Sequence, residues 1–173
     1  MGVLSRRTDR ATFAYEDLEL TLNGELATEI DRLEQEVEQA RTTSSREDRL
    51  GKKAQADEKA QQLEDFKDRI ADDIFAMRWR SIGAEKWAKV ISKHPAQRGV
   101  PLDAQLGYNI DAVTKAVTED VAHVIEDGTP VKPDPEEWPA FWDALTPAQF
   151  AKIRDVVWGL NSTGLDVDRL KKA

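Results

Sequence analysis

The spacing of apolar side chains changes from a strand-like to a helix-like period in the stretch that ends at Pro95. Alternate residues of Phe75–Trp79 are large and apolar, which predicts a short strand with one buried face. Helical spacing follows and places three apolar side chains on one face: Trp87, Val90 and Ile91. Pro95 then ends the helix, because proline lacks the backbone N–H that a helix interior requires.

The chain before this strand carries two narrow apolar stripes of helical spacing. The first helix starts at Glu25, and its stripe follows steps of four and three: Leu26, Ile30, Leu33, Val37 and Ala40. After the polar run Thr42–Ser45 and a loop through Leu50 and Gly51, a second helix covers about Lys53–Asp73 with a similar stripe: Ala56, Ala60, Leu63, Phe66, Ile70 and Ile74. Because narrow stripes can be buried against each other, we expect an antiparallel, coiled-coil-like hairpin.

The hairpin returns the chain to its starting point, where an earlier strand can pair with Phe75–Trp79. Leu18–Leu22 alternates like a strand, although two of its leucines and Leu26 also fit helical spacing. Asn23 and Gly24 favour the strand, since an Asn-Gly pair is poor inside a helix and suits the point where a strand ends and a helix begins. The sequence therefore predicts a short two-stranded ribbon at the base of the hairpin.

Beyond Pro95 the pattern predicts a small helical domain. The linker Ala96–Gly107 leads to Asn109, which stands at a helix N-cap position. We expect this helix to end at Gly128 and Pro130, and its stripe consists of four valines: Val113, Val117, Val121 and Val124.

Two more helices complete this domain. Asp134–Glu137 has the cap, first-turn proline and acidic residues of a helix start, and the helix carries large apolar side chains: Trp138, Phe141, Trp142 and Leu145. Thr146 and Gln149 have the spacing of a capping box before the last helix, whose inner face has four members: Phe150, Ile153, Val157 and Leu160. We expect Asn161–Gly164 to end this helix.

These elements define the expected organisation of the chain. Residues 1–12 form a mobile N-terminal segment, 13–82 the strand, hairpin and strand, 83–164 the small helical domain and 165–173 a loose C-terminal tail. The expected fold class is mainly α: an antiparallel helical hairpin with a short two-stranded ribbon at its base, followed by a small helical domain.

Composition narrows the classes of partner. Lys and Arg number 25 and Asp and Glu 33, so the net charge is −8, which disfavours nucleic acid as a partner. The chain has no Cys, which excludes disulfides and thiolate metal sites. No apolar run approaches the roughly 20 residues that span a bilayer, and Met1–Arg10 lacks the apolar centre of a secretory signal. We expect a soluble intracellular protein with no membrane contact.

Candidate chemistry is sparse in this sequence. His94 lies at a helix C-terminus, where an imidazolium stabilises the helix dipole, and His123 lies between stripe positions of its helix. Neither has a second ligand at zinc-site spacing, and the sequence has neither a glycine-rich phosphate loop nor a nucleophile elbow. We therefore expect no catalytic residue, no cofactor and no metal, and a protein that is not an enzyme.

Aromatic residues give the clearest signal for an interaction. Trp138, Phe141 and Trp142, at steps of three and one, cannot all face one direction on a helix. One interpretation is that at least one of them is partly exposed and binds a protein partner. The alternative is that all three close the small core together with Trp87 and Trp158, since a small domain needs its largest side chains for burial.

Several motifs, taken in chain order, resemble one protein family. They follow the charged hairpin and are structural rather than catalytic: Phe75–Ile82, Trp87, His94-Pro95, Gly107–Asp111, the region of Trp138, Leu145–Gln149 and Asn161. In this order they resemble the tail assembly chaperones of actinobacterial siphophages. The resemblance covers most of the chain from about Leu18 onward.

The resemblance implies a non-enzymatic role in phage tail assembly, as a late protein in the host cell cytoplasm. Chaperones of this family are thought to coat the long helical tape measure protein and to keep it soluble until tail tube subunits polymerise around it. In this family a longer product is often made by programmed ribosomal frameshifting near the end of the reading frame. Self-association of the chain is a further expectation. The alternative function is a structural component of the virion, such as a minor tail protein or a head-to-tail joining protein.

Overall fold

The computed structural model describes residues 13–44 and 49–162, with side chains over residues 13–42 and 54–162. Within these residues the chain forms seven α-helices, one 3-10 helix and four β-strands. None of the helices in this part of the chain is long and apolar enough to cross a membrane. The expected mobile segment 1–12 and the tail 165–173 lie outside the described residues.

The first two helices form the predicted hairpin. Helix α1 spans Gly24–Ser44, helix α2 spans Arg49–Arg69, and the two pack against each other. Asn23 starts α1, because its side-chain Oδ1 accepts a hydrogen bond from the backbone N–H of Glu25 over 3.1 Å. Three stripe residues, from both helices, are buried: Leu33, Val37 and Ala56. The remaining stripe residues are half-buried, so the seam is only partly closed.

Three details of the predicted hairpin are wrong. α1 continues through Thr42, because the Thr42 hydroxyl donates to the Glu38 carbonyl over 2.9 Å and is satisfied inside the helix. Leu50 and Gly51, expected in a loop, lie within α2, since a helix tolerates one glycine at a cost of about 1 kcal/mol. α2 also ends before the 3-10 helix Ala71–Asp73 instead of extending through it.

The four strands form one antiparallel sheet in the order β1-β2-β3-β4. Strand β1 is Tyr15–Leu20 and strand β2 is Phe75–Arg80, so the predicted pair exists, but β1 begins three residues before the predicted Leu18. The backbone N–H of Ser81 donates to the carbonyl of Ala14 over 2.9 Å. This bond fixes the register of the pair.

Two further strands widen the sheet beyond the predicted ribbon. β3, His123–Glu126, and β4, Thr129–Val131, are joined by Asp127 and Gly128, which have φ values of 48° and 77°. Two consecutive residues with positive φ make the tight turn of a two-residue hairpin, and Asp-Gly is a preferred pair there. The preceding helix therefore ends before β3, and the prediction that Val124 continues its stripe is wrong.

The remaining helices are α3 to α7, in chain order: Ala84–Lys93, Pro101–Leu106, Ile110–Val121, Trp138–Ala144 and Pro147–Ser162. α4 lies in the expected linker and was not predicted. Its buried Asp103 accepts hydrogen bonds from the backbone N–H of Gln97 over 3.0 Å and of Ile110 over 3.3 Å, which ties α4 to the start of α5. The predicted N-cap of α5 is confirmed, because Oδ1 of Asn109 accepts from the N–H of Ala112 over 3.0 Å.

The starts of α6 and α7 follow different rules. α6 begins at Trp138, after a turn over residues 135–137, and not at Asp134 as predicted. Pro139 explains the later start. A helix that began after Asp134 would have Pro139 in its interior, where proline removes a backbone hydrogen bond, whereas a start at Trp138 places it in the first turn, where proline is tolerated. The capping box of α7 is confirmed, since Thr146 Oγ1 accepts from the N–H of Gln149 over 3.2 Å and Gln149 Oε1 accepts from the N–H of Thr146 over 3.0 Å.

The chain divides into two compact units, and the division passes through β1, β2 and α7. Among the described residues, one unit contains Met77–Pro135 together with residues 13–18 and 152–162. Its core is built from large side chains with almost no exposure: Met77, Trp79, Val113, Val117, Ile153 and Val157. In this core the indole Nε1 of Trp79 donates to Oγ1 of Thr118 over 3.0 Å.

The other unit contains the hairpin within Glu19–Ala76, together with Glu136–Ala151. The buried side chain of Gln149 joins these two segments, because its Nε2 donates to the carbonyl of Thr21 over 2.7 Å. The domain boundaries expected from the sequence, at residues 13–82 and 83–164, stay a prediction.

Candidate interaction site

Four aromatic side chains on α6 and α7 form what we call the aromatic cluster: Trp138, Phe141, Trp142 and Phe150. The rings of Trp138 and Trp142 are stacked with centroids 6.0 Å apart, because residues four apart lie on one face of a helix. Phe141 contacts both edge to face, at 5.5 Å and 5.0 Å. Phe150 joins from α7, 5.9 Å from Trp142. The structure thus brings together the three residues selected from the sequence and adds Phe150.

Burial is uneven within the aromatic cluster. Trp138 and Phe141 are only 5% and 9% exposed, so both fill the interior of their unit. Trp142 and Phe150 are half-buried, and Trp142 is the member of the predicted trio that keeps some surface for a partner. Binding of a partner by these residues stays a prediction.

Trp87 and Trp158, the two tryptophans of the alternative interpretation, both interact with Tyr108. The rings of Trp87 and Tyr108 meet edge to face with centroids 6.0 Å apart. Burial raises the pKa of the Tyr108 phenol, and a hydrogen bond with the Trp158 side chain opposes that shift. These contacts belong to the unit that contains Met77–Pro135.

An open cleft lies along one side of the hairpin, and we call it the hairpin groove. It has a volume of about 690 Å³. Residues of both helices line it: Glu29, Arg32 and Leu33 from α1, and Gln62, Asp65, Phe66, Asp68 and Arg69 from α2. Leu33, which is buried, and Phe66, which is half-buried, are its apolar side chains, and the others form a polar rim. An apolar floor inside a polar rim is the usual anatomy of a protein-binding surface.

The two arginines of the hairpin groove are bound within the hairpin itself. Nη2 of Arg32 lies 2.6 Å from Oε1 of Glu29, and Arg32 also pairs with Glu36 one turn further along. The hydrogen bond from Arg32 holds the pKa of Glu29 below its ordinary value. The guanidinium of Arg69 lies over the ring of Phe66, 5.5 Å from the centroid. Arg32 is therefore neutralised within the hairpin, whereas Arg69 forms no ion pair with any carboxylate that the structure describes and keeps its charge beside the ring.

The two acids that α2 contributes to the rim lack a basic partner. Oδ1 of Asp65 accepts a hydrogen bond from Nε2 of Gln61 over 2.7 Å, and this neutral donor leaves the charge of the carboxylate in place. Asp68, one turn further along, is exposed and forms no hydrogen bond or ion pair with any residue that the structure describes. The rim on α2 thus presents two carboxylates that lack an ion-pair partner among the described residues and one guanidinium, that of Arg69, which together have a net charge of −1.

The two histidines lie at the ends of elements. His94 is the C-cap of α3, at the predicted place, and its backbone N–H donates to the Ile91 carbonyl over 3.1 Å. His123 is the first residue of β3 and not part of a helix, with Nδ1 3.0 Å from the Val121 carbonyl oxygen. Over residues 13–44 and 49–162, no three His, Asp or Glu side chains are grouped so that they could hold a metal ion.

Sequence reasoning did not identify the hairpin groove. The stripes include Leu33 and Phe66, but the flank that stays open depends on how far each helix is rotated about its own axis. One signal was available, because Glu29 precedes Leu33 by four residues and Gln62 precedes Phe66 by four. Residues four apart share a helix face, so Glu29 and Leu33 lie on one side of α1, and Gln62 and Phe66 lie on one side of α2.

Comparison with protein-family models, with curated proteins and with solved structures gave no match. Function is therefore inferred from the residues of this chain, their geometry and the resemblance of their motifs.

Proposed function

We propose that this chain is a tail assembly chaperone of a siphophage, which binds the tape measure protein and keeps it soluble while tail tube subunits assemble. The observation that carries the proposal is the partly closed seam of the hairpin. Apolar stripe residues on both helices are only half-buried: Leu26, Ile30, Ala60, Leu63 and Phe66. A helical client with an apolar stripe of its own can cover such residues in the helix-in-groove mode of recognition.

Charge supports the same function. α1 carries six acidic and two basic residues, and the whole chain has a net charge of −8. Complexes of a client with this acidic chain all carry a negative charge, and the repulsion between them keeps the complexes from aggregating. The half-buried Trp142 of the aromatic cluster offers a second apolar contact in the same unit as the hairpin.

Coexpression with the tape measure protein of the same phage tests the proposal. We expect the tape measure protein to move from the insoluble to the soluble fraction and to elute together with the chain in size-exclusion chromatography. Leu33→Asp places an unpaired charge in the buried seam and should abolish this effect. Recovery of this chain alone, with the tape measure protein still insoluble, would refute the proposal.

Analysis of purified virions separates the chaperone from a structural protein. A chaperone leaves when the tail is complete, so we expect mass spectrometry of the particles to detect no peptide of this chain. Presence at a fixed copy number would instead assign the chain as a minor tail protein or a head-to-tail joining protein.

A further inference from the structure

We infer that the hairpin groove binds a basic amphipathic helix of the client. This inference rests on the proposed function and names the surface at which the client binds. Leu33 of α1 and Phe66 of α2 lie in the same groove and provide an apolar floor from both helices. The lining on α2 extends from Gln62 to Arg69, which at ~1.5 Å per residue is about two helical turns. That length matches two apolar side chains at i and i+4 of one docking helix.

A helix fits this groove better than an extended segment. A third helix packs beside two others by placing its side-chain ridges between theirs, and its backbone groups already bond to each other. An extended segment must find partners for its N–H and C=O groups. The groove lies between α1 and α2, whose own backbone groups are engaged within each helix, so it offers an extended segment few such partners.

The rim selects basic side chains. Asp65 and Asp68 are three residues apart on α2, both are exposed, and neither forms an ion pair with a described residue. Arg32 is paired with Glu29, and Arg69 lies over the ring of Phe66, so neither forms an ion pair with these acids and the rim on α2 keeps a net negative charge. A client helix with two Lys or Arg residues one turn apart, beside its apolar anchor, would meet both carboxylates.

A second copy of this chain is a poorer occupant of the groove. Its α1 carries six acidic and only two basic residues, and docking would place this acidic helix next to Asp65 and Asp68. Its α2 rim would bring the same two acids. Like charges across an interface cost affinity, so the groove favours a basic client over self-association.

Charge reversal on the rim tests the inference in the full-length chain. The groove variant combines Asp65→Lys and Asp68→Lys, and the control variant combines Asp57→Lys and Glu64→Lys. All four residues are exposed on α2, but only the first two line the groove. Both variants change the net charge equally, and equal melting temperatures would show that both hairpins are intact. The probes are the coexpressed tape measure protein and synthetic peptides of its basic amphipathic helices, with affinity measured by calorimetry.

We expect the groove variant to bind these peptides at least about tenfold more weakly at low salt, and the control variant to stay within about twofold of the unmodified chain. The difference should shrink at high salt, because rim charges are screened. Equal affinities for the two variants would overturn the groove while leaving the chaperone function in place. Failure of the unmodified chain to solubilise the tape measure protein would overturn both. A dimer of the unmodified chain that the groove variant abolishes would assign the groove to a second copy.

Discussion

The side chain of Gln149 forms two hydrogen bonds with different roles, and one isosteric substitution removes one of them while it preserves the other. Its Oε1 accepts the N–H of Thr146 in the capping box of α7, and its Nε2 donates to the buried carbonyl of Thr21 over 2.7 Å. Gln149→Glu preserves the first bond, because a carboxylate also accepts from an N–H at a helix N-terminus. It removes the donor of the second bond and places an oxygen against the Thr21 carbonyl.

The expected cost follows from the burial of both partners. Gln149 is 4% exposed and Thr21 is 1% exposed, so water cannot replace the lost donor. Losing the bond and leaving a charged, unsatisfied acceptor at the site should cost about 3 kcal/mol at pH 7. For a chain of this length, that corresponds to a decrease of roughly 6 to 12 °C in melting temperature.

The pH dependence of this cost has a definite sign. The glutamic acid at position 149 would be neutral at low pH, where its O–H can donate to the Thr21 carbonyl as the amide does. Burial beside that carbonyl raises the pKa of the new carboxyl in the folded state above its unfolded value of about 4.3. The variant is therefore closest to the unmodified protein below pH ~4.3, and it loses about 1.4 kcal/mol per pH unit above that until the folded carboxyl ionises.

Thermal denaturation between pH 4 and pH 8 measures both effects. Gln105→Glu is the matched control, because Gln105 is exposed on α4 and the charge change is the same, so its cost should stay within about 0.5 kcal/mol. Equal melting temperatures for the two variants at pH 7, or a cost of Gln149→Glu that does not fall at low pH, would refute the assigned donor role.

Two further predictions concern the unit that contains Met77–Pro135. Thr118→Val leaves the buried indole N–H of Trp79 without an acceptor and should lower the free energy of unfolding in urea by about 1 to 3 kcal/mol. In a Trp79→Phe background the same substitution should cost less than half as much, and equal costs in the two backgrounds would show that the hydrogen bond is unimportant. Gly128→Ala should destabilise the fold by about 1 kcal/mol, because φ of Gly128 is 77°. Gly159→Ala inside α7, where an added Cβ meets no atom within 4 Å, should instead stabilise it by about 0.5 to 1 kcal/mol. The same sign for both substitutions would contradict the assigned backbone conformations.

The helical part of the fold could be predicted because its signals are local. The stripes on α1 and α2, the cap at Asn109 and the capping box at Thr146 each depend on residues within one or two turns. The sheet was underestimated for the opposite reason. Val124 continues the valine spacing of α5, and only the turn residues Asp127 and Gly128 indicate that the chain has changed to a hairpin. The valine spacing therefore favoured a continued helix, although the Asp-Gly pair indicated a hairpin turn.

The candidate site was less predictable than the elements that carry it. Helical spacing identified Trp138, Phe141 and Trp142 as a group, and their rings do contact one another. Their burial could not be derived, because it depends on Phe150 from another helix and on the packing of the whole unit. The place of Asp65 in the groove could not be predicted for a similar reason, since an acid in a charged helix is informative only once its neighbours are known.

Hydrogen exchange of the chain, alone and in its complex with the tape measure protein, tests the central claim most directly. If the hairpin holds a helical client, backbone amides of α1 and α2 around Leu33 and Phe66 should exchange more slowly in the complex. Unchanged exchange throughout α1 and α2, with protection confined to other elements, would contradict recognition through the hairpin.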